Sequence, residues 1–536
     1  MKLSLRRTIA AALGLATIGL FWIAEPLVNF GNINVYHWSG TAQNLFVPAI
    51  GDTLIGWALL TVVLVLAEVS GRGRGVMWAA ILAFTPSVLL KSLELMQLFS
   101  LSHAVRLTMT GFAAACFVVL LLRWLPPEGD RTDREIAMVS NVFAVIGLCG
   151  AALLLQLTWC CWRARDFNRP RPPAAMREAP GAGTRGRIIW IIFDELSQEQ
   201  TFESRLPGMR LPAFDALAAQ STMFTHAIPA DFPLDNDVRT EKIVPALLTG
   251  RKVDAIRSSI TGQLSMRDSD TGTWREFDAN DTVFRDALAS GYNTAVAGWY
   301  NPYCRILSAV LNSCYWTSGF ALPSGIVPDA STGTNMEIPT NSMFGFAKLR
   351  HVIQPSWRSE DAARKDAERH IADYEKIVAA ADVAIRNRAL HFVYLHLPVP
   401  HPPGVYDWRS GRLTSGPSTY VDNLALADSY LAHVRELLTE MGQWDSSIIV
   451  VMGDHGWRTM VWRPLPGWTA QEERATHGGK FENRPVYLVK LSAQQTSATI
   501  SRPFSAIHTR EMFDGLLGRK IETIVSLSEW VEHTSY

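Results

Sequence analysis

Acidic and histidine side chains adjoin β-prone apolar runs at four places along the chain. The four clusters are Asp194-Glu195 after RIIWIIF, His396 and His401 within HFVYLHLPVPH, Asp454-His455 after SIIVVMG, and His477 with Lys480 before PVYLV. Carboxylates and imidazoles together bind zinc or manganese. Apolar strands of this kind are typical of α/β sheets, which bind ligands at the carboxyl ends of their strands. A lone histidine is more often an ordinary surface or core residue, but four similar clusters together indicate a metal site.

Thr240 is the candidate nucleophile, at the start of the helix-prone segment TEKIVPALL. Considered alone, this segment favours a simple helix cap, because Thr is a good N-cap residue. The alternative is catalytic. Free N–H groups and the helix dipole attract an anion to a helix N-terminus, so a Thr oxygen there is well placed for phosphoryl transfer. A divalent metal bound to that oxygen would generate the alkoxide nucleophile.

The 536 residues carry 50 basic and 50 acidic side chains, so the formal net charge is zero. This balance argues against a uniform basic face, and we predict no nucleic-acid partner. The charges are unevenly distributed. Residues 8–158 are mostly apolar, whereas residues 159–536 have the composition of a soluble domain. The length allows two or three domains.

Five apolar stretches have roughly the length of about 20 residues that a bilayer-spanning helix needs. They are residues 8–24, 46–68, 76–98, 105–124 and 137–158. Lys and Arg are concentrated at the N-terminus and in the second and fourth loops, whereas the first loop, 25–45, has neither. This distribution predicts a cytoplasmic N-terminus. We therefore predict a multi-pass protein of the inner (cytoplasmic) membrane, with its catalytic domain on the periplasmic or extracellular side.

These patterns divide the chain into three parts. We expect a transmembrane helical domain at 1–160, an extended linker rich in Pro and Arg at 161–186, and a catalytic domain at 187–536. Cys304 and Cys314 lie in the last part and do not have a zinc-ligand pattern. A local disulfide between them is expected if the domain faces an oxidising compartment, and two unpaired buried thiols are the alternative.

The motifs resemble those of the sulfatase and alkaline phosphatase superfamily. TEKIVPALLTG ends in the L-x-T-G of the sulfatase nucleophile motif, and counting back places Thr240 at the nucleophile position. IIFDEL is similar to the first metal-binding strand, LPVPHPP to the P-H-x-P segment, which contains His401, and GDHG to S-D-H-G. The motifs occur in the family order between residues 187 and 490. The resemblance implies an α/β fold class, with an N-terminal all-α transmembrane domain followed by an alkaline-phosphatase/sulfatase-like α/β/α sandwich.

Some departures from the sulfatase pattern change the expected chemistry. Thr240 replaces the Cys or Ser that sulfatases oxidise to formylglycine, and Lys242-Ile243-Val244 replaces their P-S-R. Thr is the nucleophile in the phosphoethanolamine transferases and in the lipoteichoic acid synthases, which are phosphoglycerol transferases. Those families also join several membrane helices to an outward-facing catalytic domain. The resemblance therefore favours them over a formylglycine sulfatase.

The resemblance also implies roles for the residues of the four clusters. One or two divalent ions, zinc or manganese, would be held by Asp194, Thr240, Asp454 and His455. Glu195 competes with Asp194 for the first acidic position and is the second choice. Charge on the transferring group would be stabilised, or leaving oxygens protonated, by His396, His401, His477 and Lys480.

The predicted activity is a two-step transfer through Thr240. The nucleophile would take a headgroup of phosphoethanolamine or phosphoglycerol type from a membrane lipid, and pass it to a cell-envelope acceptor such as a glycan or glycolipid. Two alternatives stay open. One is a phosphate- or sulfate-ester hydrolase of the same superfamily, and the other is a catalytically silent envelope binding protein. The complete set of nucleophile and metal residues argues against the silent protein.

Overall fold

The computed structural model describes most of the chain. The described residues are 4–28, 36–70, 72–95, 103–124, 130–166, 168–169, 173–176, 186–230, 239–259, 262–319, 327–328, 330–336, 357–465 and 467–534. Residue 167 and residues 170–172 and 177–185 of the predicted linker lie outside them. The chain divides into two compact units, one formed by residues 1–168, 260–262 and 320–353, and the other by residues 169–259, 263–319 and 354–536.

The first unit is helical. Its helices are α1 (Leu5–Val28), α2 (Ala42–Val69), α3 (Arg72–Leu95), α4 (His103–Trp124) and α5 (Asp130–Arg163). Each of them overlaps one of the five predicted spans. Among the described residues, three segments are long and apolar enough to cross a membrane: Ala42–Val69, Gly73–Leu90 and Arg131–Arg163. These segments identify a membrane-anchored protein, and the count of five spans stays a prediction.

Small residues let α1 and α5 pack closely. A Cβ atom on Gly14 would lie 2.0 Å from the carbonyl oxygen of Phe143, and one on Gly147 would lie 2.3 Å from that of Ala10. The two helix backbones are therefore in direct contact at the glycines, an arrangement common between membrane helices. Large apolar side chains are exposed on α5, including Leu155, as expected for a helix surface that faces lipid.

The second unit is built on a mixed sheet. Its strands are β1 (Ile188–Phe193), β2 (Thr222–Phe224), β3 (Ala227–Ile228), β4 (Val253–Ser258), β5 (Leu264–Asp268), β6 (Trp274–Glu276), β7 (Thr294–Trp299), β8 (Ser313–Thr317), β9 (Phe392–Leu397), β10 (Tyr406–Asp407), β11 (Arg412–Leu413), β12 (Ile448–Gly453), β13 (Tyr487–Lys490), β14 (Ala498–Ile500) and β15 (Phe504–Ser505). Within the described residues the main sheet has eight strands, in the order β14-β2-β13-β12-β1-β9-β7-β8. The five strands from β12 to β8 are parallel, and β13 runs antiparallel to both of its neighbours.

Helices cover both faces of this sheet. The helices of the unit are α6 (Pro212–Ala218), α7 (Thr240–Thr249), α8 (Val283–Ala289), α9 (Tyr303–Ile306), α10 (Trp357–Arg386), α11 (Tyr420–Glu440), α12 (Thr459–Trp462), α13 (Ala470–Ala475), α14 (Thr509–Leu517) and α15 (Ile524–His533). On one face, Ile191 belongs to a buried cluster with Ile377 of α10 and Leu424 of α11. On the other face, Trp190 packs against Phe513 of α14, with ring centroids 4.8 Å apart. The unit is thus an α/β/α sandwich, as predicted.

A disulfide joins Cys304 to Cys314, as the sequence led us to expect. The bond ties α9 to β8, beside the strand β7 that pairs with β9. It therefore anchors a short helix next to the strands that carry the candidate site.

Candidate active site and metal centre

Three neighbouring parallel strands bring acidic and imidazole side chains to one edge of the sheet. β1 lies between β12 and β9, and the last residues of the three strands are paired in register. Asp194 and Asp454 directly follow β1 and β12, and His396 is the second-last residue of β9. The approach is close, because a Cβ atom on Gly453 would lie only 2.6 Å from the carbonyl oxygen of Leu196. Three of the four predicted clusters therefore meet where the strands end.

Thr240 directs its hydroxyl group at two of these carboxylates. Its Oγ1 donates to Oδ2 of Asp454 at 2.8 Å and lies 3.3 Å from Oδ2 of Asp194. Thr240 is the first residue of α7, and the N-cap is Arg239, whose side chain makes no capping bond. The simple helix-cap interpretation of Thr240 is therefore wrong. The hydroxyl group instead lies at a buried helix N-terminus, in contact with two potential metal ligands.

His455 presents a free ring nitrogen to the same carboxylates. Its Nδ1 donates to the carbonyl oxygen of Gly456 at 2.9 Å, so the lone pair of the neutral ring is on Nε2. This Nε2 lies 3.3 Å from Oδ2 of Asp454 and 3.8 Å from Oδ1 of Asp194. Nε2 of His455 and Oδ1 of Asp194 are buried without a hydrogen-bond partner in the described part of the chain. Asp194, Asp454 and His455 could thus hold a metal ion, and their unpartnered atoms fit a divalent cation.

The charge state of the centre also suits a cation. Burial lowers the pKa of His455 and brings that of His396 down to about 4, so both rings are neutral near pH 7 and able to bind metal. Burial, together with repulsion by Asp454, raises the pKa of Asp194 well above its usual value. Two buried carboxylates whose oxygens lie within 4.8 Å of each other are costly without a positive charge between them. A divalent ion would supply that charge.

Glu195, the second choice for the first acidic ligand, has both carboxylate oxygens occupied. Nε of Arg458 donates to its Oε1 at 2.5 Å, and the indole Nε1 of Trp462 donates to its Oε2 at 2.9 Å. The geometry therefore favours Asp194 over Glu195 as ligand of the ion beside His455. Sequence reasoning did not single out Arg458 or Trp462, because a single charged or aromatic residue carries no motif of its own.

His396 is held by a tyrosine that the sequence did not indicate. The hydroxyl oxygen of Tyr303 lies 2.7 Å from Nδ1 of His396 and 3.0 Å from the hydroxyl oxygen of Tyr394. Nε2 of His396 then lies 3.6 Å from Oδ2 of Asp194 and is buried without a hydrogen-bond partner among the described residues. The ring nitrogen of His396 is thus available to a metal ion or to the group being transferred.

His401 lies on a loop that one asparagine side chain organises. Nδ2 of Asn423 donates to the carbonyl oxygens of Pro400, His401 and Pro403 at 3.3, 3.1 and 3.0 Å. His401 packs edge-on against Trp299, with ring centroids 4.7 Å apart. Its burial holds its pKa well below the ordinary value. The neutral ring lies with Asp194 and Glu195 in a second group that could hold a metal ion.

His477 and Lys480 are not part of this buried cluster. Both are exposed, on the loop that follows α13. His477 helps to line a surface cavity of about 380 Å³ together with Arg205 and Arg474. Within the described residues, no hydrogen bond or ion pair connects His477 or Lys480 to the buried carboxylates. Their roles in stabilising or protonating leaving oxygens stay predictions.

A protein-family model matches more than half of the chain. Residues 187–485 match the family model described as Sulfatase. A search of curated proteins found no match.

Similar folds occur among solved structures. One is the phosphonate monoester hydrolase of Agrobacterium radiobacter, at 13% identity over 66% of this chain and 78% of that chain, with a TM-score of 0.38. Another is the lipoteichoic acid synthase LtaP of Listeria monocytogenes, at 14% identity over 64% of this chain and 75% of that chain, with a TM-score of 0.37. A third is murine ectonucleotide pyrophosphatase/phosphodiesterase 5, at 9% identity over 62% of this chain and 95% of that chain, with a TM-score of 0.34. Similarity at this level does not bear on the activity of this chain.

Proposed function

Because the chain belongs to the sulfatase family, whose members are metal-dependent enzymes, we propose that it transfers a phospholipid headgroup to a cell-envelope acceptor through Thr240. The observation that carries this proposal is the contact of the Thr240 hydroxyl group with Asp454 and Asp194, at 2.8 and 3.3 Å. The hydroxyl group thereby adjoins a buried group of metal-binding side chains. A nucleophile next to a cation at a helix N-terminus is suited to an anionic ester.

The first step forms a bond between Oγ1 of Thr240 and phosphorus and breaks the bond from phosphorus to the diacylglycerol oxygen. The Thr240 proton passes to the carboxylate of Asp454, which already accepts its hydrogen bond. A divalent ion, zinc or manganese, would promote ionisation of the hydroxyl group and balance the charge of the transferring group. The leaving oxygen takes up a proton, for which the exposed His477 and Lys480 are our candidates.

The second step returns Thr240 to its starting state. An acceptor hydroxyl group attacks the phosphorylated Thr240, and the bond from phosphorus to Oγ1 breaks. The proton of the acceptor hydroxyl group passes to the side chain that protonated the leaving oxygen in the first step. Oγ1 recovers the proton held by Asp454. The neutral rings of His396 and His401 would donate or accept hydrogen bonds at the transferring group in both steps.

A lipid donor is supported by the membrane anchor. Three segments of the first unit are long and apolar enough to cross a bilayer, and such an anchor keeps an enzyme at the surface where phospholipids are found. The disulfide between Cys304 and Cys314 supports an oxidising compartment for the second unit. We therefore propose an inner-membrane location with the catalytic unit on the periplasmic or extracellular side, and a glycan or glycolipid as acceptor.

The test is turnover by the full-length protein in detergent micelles. Phosphatidylethanolamine and phosphatidylglycerol are supplied with zinc or manganese, and diacylglycerol release is measured against the same lipids with Thr240→Ala. We expect diacylglycerol release by the wild type alone, and recovery of the headgroup on an added glycolipid. Release of the headgroup to water, or turnover confined to soluble phosphate or sulfate esters, would establish a hydrolase instead. Absence of turnover on all of these esters would contradict an active enzyme.

A further inference from the structure

The second unit has a cavity of about 420 Å³ between the first half of α10 and three loops. Its lining includes small or apolar side chains, those of Ala363 and Ala367 of α10 and of Pro403, Pro417 and Leu465 of the loops. Cavities of this size and character are typical of sites for small molecules, which are mostly apolar with a few polar groups. The lining contains none of the residues that could hold the metal ion.

Close contacts between backbone segments form part of the cavity wall. A Cβ atom on Gly404 would lie 2.4 Å from the carbonyl oxygen of Ser418, and one on Gly467 would lie 1.9 Å from the same oxygen. Side chains are therefore excluded at these two glycines. At Gly416, which also lines the cavity, an added Cβ atom would meet Oγ1 of Thr414 at 3.2 Å and no other atom of the described residues within 4 Å. A larger side chain therefore fits at Gly416.

The polar side chains of the lining have partners within the protein. Oγ of Ser418 donates to the carbonyl oxygen of Tyr406 at 2.7 Å and accepts from its N–H group at 3.3 Å. Arg364 pairs with Glu368 at 2.6 Å, and Ser415 is the third polar side chain of the lining. A bound sugar would leave several hydroxyl groups unpaired here, which is costly. The lining therefore favours an alkyl chain, whose burial requires no hydrogen bonds.

Two chain segments connect this cavity to the candidate site. Pro403 follows His401 by two residues, and Nδ2 of Asn423 donates to the carbonyl oxygens of both. Ala367 lies three residues before His370 on α10, and hence on the same face of the helix. The ring of His370 stacks on that of His401, with centroids 6.0 Å apart. A ligand in the cavity would therefore lie next to the residues that pack around His401.

A third segment carries exposed apolar side chains from the site to the cavity. Trp462, the last residue of α12, donates to Glu195 in the site at 2.9 Å, and Leu465 lines the cavity three residues later. Met460 and Val461 of the same helix are 49% and 38% exposed. Exposed apolar side chains beside an apolar cavity indicate contact with an apolar partner. Because this chain has segments that are long and apolar enough to cross a membrane, phospholipid is the apolar partner that it meets.

We propose that the cavity binds part of an acyl chain of the phospholipid whose headgroup is transferred. The identity of this lipid rests on the proposed function, whereas the class of ligand, an alkyl chain, rests on the cavity alone. The acyl chain would hold the diacylglycerol portion on the His401 side of the site while the phosphate ester lies at Thr240. The cavity would offset the cost of lifting this part of the chain out of the bilayer, because its apolar surface stays covered.

The proposal is tested by photo-crosslinking with a phosphatidylethanolamine that carries a diazirine on one acyl chain. The full-length protein with Thr240→Ala is reconstituted into phosphatidylcholine vesicles that contain this lipid, so labelling does not depend on turnover. After irradiation and digestion, we expect adducts on the peptides that contain Pro417 or Leu465, which line the cavity. Adducts confined to the membrane helices would overturn the proposal.

Two variants fill the cavity from different elements. Ala363→Trp acts from an exposed position of α10, and Gly416→Leu acts from a loop. Each should lower labelling of the cavity peptides about tenfold, because a filled cavity leaves no space for the chain. The matched control is Ala379→Trp, the same exchange at another exposed position of α10, which should be labelled like its parent. Undiminished labelling in Ala363→Trp and Gly416→Leu would contradict the proposal.

Turnover distinguishes failure of this proposal from failure of the proposed function. In the protein that retains Thr240, Ala363→Trp should lower kcat/KM for dioleoylphosphatidylethanolamine relative to glycerophosphoethanolamine, which has no acyl chain. Lipid turnover with the same ratio in Ala363→Trp and Ala379→Trp would overturn the role of the cavity and leave the proposed function intact. Labelling of the cavity without headgroup transfer by the wild type would support an alkyl-chain site and count against the proposed function.

Discussion

The hydroxyl oxygen of Tyr303 lies 2.7 Å from Nδ1 of His396. This contact fixes the ring so that Nε2 lies 3.6 Å from Oδ2 of Asp194. A Cβ atom on Gly298 would lie 2.4 Å from the Tyr303 ring, so the glycine makes room for the tyrosine. Partners that orient a site histidine matter for both the strength and the direction of its contacts.

Removal of this hydroxyl group should impair the site without unfolding it. We expect Tyr303→Phe to lower kcat or metal affinity about 10- to 100-fold, because the imidazole loses the partner that orients it. The control is Tyr394→Phe, whose hydroxyl group contacts Tyr303 at 3.0 Å and is one step further from His396, so a smaller effect is expected. Steady-state kinetics and metal titration of both variants measure the difference. Equal activity of Tyr303→Phe and the wild type would show that the contact is not needed.

Metal binding should stabilise the protein, because the ion neutralises the facing carboxylates of Asp194 and Asp454. At a free metal concentration about 100 times the Kd, the expected gain in the free energy of unfolding is about 2.7 kcal/mol. Thermal unfolding is measured with zinc or manganese and with a chelator. Asp194→Asn should lose the metal-induced rise in Tm, yet it should be more stable than the wild type in chelator, since it removes the repulsion with Asp454. A metal-induced rise in Tm that survives in Asp194→Asn would place the ion elsewhere.

Asn423 should be required for the position of His401. Asn423→Ala leaves the carbonyl oxygens of Pro400, His401 and Pro403 without their shared donor, which we expect to cost about 1–3 kcal/mol of stability. The same change should lower activity more than the loss of stability explains, because the loop no longer holds His401 beside Trp299. Chemical unfolding and kcat/KM are compared with those of Asn280→Ala, an exposed control. An unchanged kcat/KM in Asn423→Ala would show that the position of His401 does not depend on Asn423.

Asp428 should make stability depend on pH. Burial raises its pKa from 3.8 to about 6, against the effect of hydrogen bonds from the backbone of Phe214 and Ala213. The protonated form is therefore favoured in the folded state. Its contribution to stability is complete below about pH 4 and is lost as the pH rises through about 6, by at most about 3 kcal/mol.

The variant Asp428→Asn should remove this part of the pH dependence of stability. An amide cannot ionise, and its oxygen can still accept from the N–H group of Phe214, which lies 2.8 Å from Oδ1 of Asp428. Denaturant unfolding between pH 4 and pH 7 is compared for the wild type, Asp428→Asn and the exposed control Asp270→Asn. The same slope in the wild type and Asp428→Asn would mean that another group titrates.

Local patterns in the sequence were sufficient to predict part of this site. Asp194 and Asp454 follow apolar runs that form adjacent parallel strands, so their meeting follows from the sheet. Thr240 was placed by its distance from the L-x-T-G segment, and the helix that it begins, Thr240–Thr249, was expected from composition. These features depend on short stretches of chain, which a sequence displays directly.

The surrounding residues could not be predicted in the same way. Arg458 meets Glu195 across 263 residues of chain, and Tyr303 meets His396 across 93. Such contacts depend on how the loops pack after the sheet has formed, and a single Arg or Tyr carries no periodic pattern. The same reason explains why the exposure of His477 was not predicted. Its residue type and its position next to a strand suggested a place in the cluster, but its side chain is exposed.

The central claim is that Thr240 becomes covalently modified during the reaction. The full-length protein is incubated with phospholipid and manganese, quenched in acid and digested, and the peptide that contains Thr240 is examined by mass spectrometry. The expected result is a mass gain on Thr240 equal to the phosphorylated headgroup, absent in a chelator and absent from Thr240→Ala. An enzyme that turns over lipid while its Thr240 peptide stays unmodified, or an active Thr240→Ala variant, would contradict the account.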